Sequence, residues 1–148
     1  MLRTGEKHQR ETVRQSWQLL VFSVGGRRLA VNALDVSGIS QWNQSIPVAG
    51  RTPFVTAVVR QGQTVLPVFD LAASLSLTVQ GSSPLCLRVK HPLGEMAMCI
   101  DEEIPVLHTV DPASLQAYQG KDIPTEGSYT NGLDEVPILS VSRLGSTV

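Results

Sequence analysis

Short apolar, β-branched runs, each cut off by glycine or proline, constrain this chain more than any other feature. Leu19 to Val24 is followed by Gly25-Gly26 and then by Leu29-Ala30-Val31, which predicts a hairpin turning through the glycine pair. Phe54 to Val59 and Val65 to Phe69 flank the turn-like Gln61-Gly62-Gln63 and read as two more strands with buried faces. Pro67 has no N–H to give to a ladder, so it predicts an edge position or a bulge. Leu85–Val89, Met96–Ile100, Ile104–Val110 and Val136–Val141 are further strand candidates. Helix is sparse. Leu71 to Leu75 has helical spacing after Asp70, and Asp111-Pro112 has the cap and first-turn proline of a second short helix. Residues 33–39 fit either a helical turn or a strand. Pro47, Gly50 and Pro53 punctuate a loop, and residues 119–135 read as loop with room for one short strand. No fixed-period repeat is apparent. Many short strands between turn signals predict a mainly β chain, a barrel or a sandwich.

At 148 residues the chain has the size of one domain or two small lobes, and 42% hydrophobic residues are enough to build a core. Residues 1–16 are polar and predict a flexible N-terminal arm ahead of a folded region over 17–148. The 12 basic and 13 acidic residues nearly cancel, which argues against a nucleic-acid partner. The balance hides an asymmetry: residues 1–60 hold eight Lys/Arg against three acids, and residues 61–148 hold four against ten. No run of like charges forms, so the simplest reading is two halves that complement each other side by side. No apolar stretch reaches the roughly 20 residues needed to span a bilayer, and the N-terminus lacks a signal sequence, so a cytoplasmic protein without direct membrane insertion is expected. Cys86 and Cys99 lack metal or redox spacing and read as small buried hydrophobes in a reducing compartment.

Signals for chemistry are missing. His8, His91 and His108 are isolated, so no metal site is predicted. No phosphate-binding, dinucleotide-binding or nucleophile-elbow motif occurs, and no cofactor or catalytic residue is assigned. Asp101-Glu102-Glu103 follows a strand, where successive side chains alternate faces, so the three carboxylates do not converge into an acid–base pair. A binder is favoured over a catalyst.

The order of segments resembles the CheW-like domain of bacterial chemotaxis. Phe22 to Val31 is similar to the family's opening hairpin. Val65-Leu66-Pro67-Val68-Phe69-Asp70-Leu71 resembles its V-[IL]-P-[IV]-x-D-L strand and helix entry. Ile100-Asp101 with Ile104 is similar to its V-D-x-V element, and Val136-Pro137-Ile138-Leu139 to its closing strand. The N-L-R-G usual between the central strands is altered here to Arg60-Gln61-Gly62-Gln63. The resemblance implies two packed five-stranded SH3-like β-barrels with short helices. It also implies a non-enzymatic adaptor that joins the cytoplasmic tip of a chemoreceptor to a histidine kinase regulatory domain of the same fold, at membrane receptor arrays. Exposed strand ends and the groove between the barrels are the implied docking sites. Val58, Val65 and Leu66, with Arg60 on a polar rim and Gly62 supplying the turn, are the candidate protein-binding residues. Two other readings stay open on the residues alone. One is a small-ligand-binding or enzymatic β-barrel, which needs an interior cavity with convergent polar groups. The other is a decayed paralogue that keeps a single partner.

Overall fold

A computed structural model describes residues 16–145; the predicted arm lies outside them except for Ser16. Eleven strands form two curled antiparallel-rich sheets. The first is ordered β10-β11-β2-β1-β9, from β1 (Trp17–Val24), β2 (Arg27–Asn32), β9 (Val106–Val110), β10 (Thr125–Asn131) and β11 (Asp134–Leu139). The second is ordered β3-β7-β8-β6-β5-β4, from β3 (Val36–Gln41), β4 (Ser45–Pro47), β5 (Val55–Gln61), β6 (Thr64–Phe69), β7 (Leu85–His91) and β8 (Gly94–Ile100). Five strands plus the three-residue edge strand β4 make this second barrel. The first barrel is assembled from both ends of the described chain, with the second inserted between β2 and β9. The basic and acidic halves are therefore interleaved, and Arg27 of β2 pairs with Asp122 at 2.6 Å.

Alternation sorts each strand between two cores, because successive side chains point to opposite faces. In β1, Leu19 and Val21 enter the interior of the first barrel with Ala30, Tyr129, Val136 and Ile138. Leu20, Phe22 and Val24 point the other way, into a larger core with Leu29, Val31, Leu87, Val89, Met96, Met98 and Ile100. That larger core is the contact between the barrels. The second barrel's own interior is small: Val59, Leu66, Val68, Cys86 and Ala97. Strands buried on both faces read as unbroken apolar runs, which is why Leu19–Val24 shows no polar alternation.

The helices are as short as expected. Asp70 caps α1 (Leu71–Ser74), its Oδ1 accepting the Ala73 N–H at 3.0 Å, and Leu71, Ala72 and Leu75 sink into the inter-barrel core. Asp111 caps a single 3-10 turn, Pro112–Ser114, through the Ala113 N–H. Residues 33–39 satisfy both expectations in succession, a 3-10 turn at Ala33–Asp35 and then β3. Two expectations are corrected and one is given its bounds. Ser45–Pro47 pairs with β5 as β4 and is not loop. The one short strand that the 119–135 segment left room for is the seven-residue β10, whose bounds Thr, Ser and Gly hid by lacking apolar alternation. Pro67 lies in an interior strand, with β5 on one side and β8 on the other. Its missing N–H is tolerated because the parallel pairing to β8 is a single residue pair, Val68↔Ala97. Pro137 occupies the matching place in β11, which pairs in parallel with β2 over only two residues. VLPVFD and EVPILS are thus equivalent segments of the two barrels, a two-copy relation too diverged to register as a repeat in sequence.

Candidate docking surfaces

Two surfaces stand out, one on the second barrel's central hairpin and one between the barrels. The first is the outer face of β4, β5 and β6. Ile46, Val58 and Pro67 lie directly opposite one another across the three strands, and Arg60 lies opposite Val65 on the same face. Ile46 is 62% and Val65 60% exposed, Val58 is half-buried, and Arg60 and Pro67 are exposed. Cross-strand neighbours on one face sit about 5 Å apart, so these side chains form one continuous apolar strip. The Arg60 Nε donates to the Gly62 carbonyl at 3.1 Å, which holds the guanidinium at the strip's edge. The Asn43 amide donates to the Arg60 carbonyl at 2.8 Å and ties the loop before β4 to the same strand.

The predicted binding residues therefore divide. Val58, Arg60 and Val65 share the outer face. Gly62 occupies the turn with φ +63°, a conformation that favours glycine, so the altered hallmark still makes a tight turn. Leu66 is a correction: it is 3% exposed and packs inside the barrel with Val59 and Val68. Period two decides this, because Val65 and Leu66 are adjacent and must take opposite faces. Ile46 and Pro67 were missed as surface residues. Ile46 escaped notice because its three-residue strand carries no signal beyond the Pro47 that ends it, and Pro67 because proline constrains topology before it suggests exposed apolar area.

The second surface is an open cleft of about 410 Å³ where the barrels meet. Pro53, Phe54, Phe69, Ile123 and Pro124 give it apolar walls, and Lys121 and Arg143 give it positive charge. Phe54 is its most unusual member. It has φ +60°, a left-handed conformation that costs a bulky L-residue roughly 1–2 kcal/mol. Its carbonyl accepts the Asp70 N–H at 2.8 Å, and its ring meets Phe69 edge-on at 6.0 Å. The strain holds an aromatic ring 44% exposed at the cleft wall. Nothing in the sequence around Pro53-Phe54 marks it as special. Asp122 also lines the cleft, its charge paired with Arg27, and is held below the usual carboxylate range: burial opposes this, but the hydrogen bond and charge of Arg27 outweigh it.

The carboxylates of the acidic triplet take different partners; Asp101–Glu103 lies past the end of β8, so the course of the loop and not strand alternation separates them. Asp101 is 4% exposed and accepts three backbone N–H groups: Gly25 at 2.9 Å, Gly26 at 2.8 Å and Gln80 at 2.8 Å. Its own N–H donates to the Ser23 carbonyl at 2.9 Å. It clamps the end of β8 to the β1–β2 turn of the other barrel. Glu102 turns to the Ser83 N–H and Glu103 to the Ser23 hydroxyl.

Two fused small barrels, offering an apolar sheet face and an apolar cleft between them, define a protein-docking module. A model of the CheW-like domain matches residues 18–147, and the chain belongs to that family. It is 30% identical over 76 residues to the chemotaxis protein CheW of Bacillus subtilis (strain 168), a stretch covering 51% of this chain and 42% of that protein. The match thus spans less than half the length of that relative. The scaffolding protein TtCheW from Thermoanaerobacter tengcongensis has the same fold, with a TM-score of 0.72 at 14% identity, over 89% of this chain and 93% of that one. The family comprises non-enzymatic scaffolding adaptors of chemotaxis. Among the described residues, no helix is long and apolar enough to cross a membrane.

Proposed function

We propose that this protein couples a chemoreceptor's cytoplasmic tip to the regulatory domain of a histidine kinase, working at the cytoplasmic face of receptor arrays. The observation that carries the reading is the apolar strip Ile46–Val58–Pro67–Val65 with Arg60 on its rim. Exposed apolar area bordered by a charged fork is the make-up of a protein interface with a desolvated centre and a polar edge. The kinase domain, itself a β-barrel pair, docks on this strip. The receptor's helical tip lies in the cleft, against Phe54 and Ile123, with Lys121 and Arg143 facing its acidic side chains. The Asp101 clamp, which ties one barrel to the other, carries receptor geometry to the kinase.

Co-sedimentation with receptor-containing membranes, with and without the kinase, tests this. Recruitment by membranes alone and a further increase with kinase are expected. Binding of one partner only identifies a decayed paralogue. Binding of neither, at tens of micromolar, overturns the proposal and returns the small-ligand reading to the front.

A further inference from the structure

The chain's two cysteines face each other. Cys86 in β7 and Cys99 in β8 are directly opposite in a ladder running without a register shift from Leu85↔Ile100 to His91↔Gly94. The hairpin closes through two residues, Pro92 and Leu93, so His91 and Gly94 flank the turn as a hydrogen-bonded pair. Hydrogen-bonded and open pairs alternate from there. Five steps back, Cys86 and Cys99 fall on an open pair, where opposing Cα atoms approach to about 4.5 Å and side chains are closest. That lies inside the roughly 4.4–6.8 Å that a disulfide bridges. Opposite residues share a face, and Cys86 places that face in the second barrel's interior beside Val59, Leu66, Val68 and Ala97. Both thiols are free.

We propose that Cys86 and Cys99 form a dithiol site that a small two-electron oxidant of the peroxide class converts into a cross-strand disulfide. Cys99 is half-buried and meets the oxidant first, whereas Cys86 is fully enclosed. The Cys99 sulfur attacks one peroxide oxygen and the O–O bond breaks. A sulfenic acid forms, and the departing hydroxide leaves as water with the thiol proton. The Cys86 sulfur then attacks the Cys99 sulfur. The S–S bond forms, the S–O bond breaks, and the second hydroxide leaves as water with the Cys86 proton. Two thiols lose two electrons in total, and one peroxide becomes two waters.

Burial pushes the Cys86 thiol up to about 11 and, with the neighbouring Cys86, Asp70 and Asp101 adding to it, the Cys99 thiol up to about 12. Both are protonated at neutral pH, so the reaction is slow and selects small, uncharged oxidants over bulky disulfides. The new bond pins the open end of the β7–β8 hairpin, two residues from the Asp101 clamp.

The test is to expose the native full chain to hydrogen peroxide, quench it in denaturant with an alkylating agent, and measure intact mass and a peptide map. Loss of two hydrogens, loss of both alkylation sites and a linked Cys86–Cys99 peptide are expected, all reversed by dithiothreitol in urea. Cys86→Ala, which lacks the resolving thiol, should instead gain oxygen at Cys99. Gain of oxygen by the wild type without loss of hydrogen overturns the proposal. So do disulfides only between chains, or two thiols still alkylated after peroxide treatment that oxidises the urea-unfolded chain.

Discussion

Replacing Asp101 tests whether one carboxylate sets the relation between the two barrels. Its Oδ1 accepts two backbone N–H groups, from Gly25 and Gln80, and its Oδ2 accepts the third, from Gly26. Alanine leaves all three donors without their acceptor. Bonds to a charged acceptor contribute about 1.5–3 kcal/mol each, and the lower end applies here because the amides are only part-buried and water can enter. Asp101→Ala is therefore expected to cost about 4–5 kcal/mol, a large part of the roughly 5–15 kcal/mol that holds such a domain together. Asp101→Asn separates the contributions. With its oxygen in the Oδ1 position it keeps two bonds, but its NH2 then faces the Gly26 N–H, so a loss of about 1–2 kcal/mol is expected. Urea unfolding followed by tryptophan fluorescence reads both, and hydrogen exchange at the Gly25, Gly26 and Gln80 amides reads the clamp directly. The reasoning fails if both variants unfold within ~0.5 kcal/mol of wild type, the range of ordinary surface changes. It fails equally if the two variants are alike, since that would make Asp101 a mere space-filler.

Adjacent residues of β6 should behave oppositely. Leu66→Ala is expected to cost about 2–5 kcal/mol as a core truncation, while Val65→Ala stays near neutral in stability and weakens kinase binding; equal stability losses would contradict the assigned faces. Arg60→Glu is expected to leave the melting temperature nearly unchanged and to weaken partner binding in a pull-down; a large stability loss would make Arg60 structural. Gly25 and Gly62 share a left-handed φ near +60° but not the same space: a Cβ on Gly25 would lie 2.7 Å from the Leu77 Cβ, whereas Gly62 has nothing within 4 Å. Gly62→Ala should cost about 1–2 kcal/mol, the backbone penalty alone, and Gly25→Ala clearly more; a reversed order in urea unfolding would refute this. Glu126 is raised above the usual carboxylate range by burial first and by nearby Asp35 second, against Arg143. A raised carboxyl destabilises the folded state above its pKa, and that penalty fades as the pH falls through it. Glu126→Gln should therefore raise the melting temperature slightly at pH 7 and not at all at pH 3, and a gain of equal size at both would rule charge out as the cause.

Strand content, the Gly25-Gly26 hairpin and the short helix after Asp70 were legible in the sequence because they depend on neighbours in the chain. A Gly pair can take φ > 0 at no steric cost, and an Asp ahead of a helix is a favoured cap. The apolar run Leu19–Val24 announced a strand. It could not say that one face fills a barrel and the other glues two barrels together, because periodicity records sides and not partners. Placement needed the tertiary structure. Only strand pairing sets Ile46, Val58 and Pro67 in one row, and only barrel closure sends Leu66 inward and brings Phe54 to the cleft. Asp101 read as one of three clustered acids, and its role appears only when the other barrel's turn arrives with its N–H groups. Cys86 and Cys99 read as ordinary core residues, and only the ladder register makes them opposites. Local chemistry is written residue by residue, but a docking surface, a clamp and a dithiol are relations between distant segments, and those exist only once the sheets have closed.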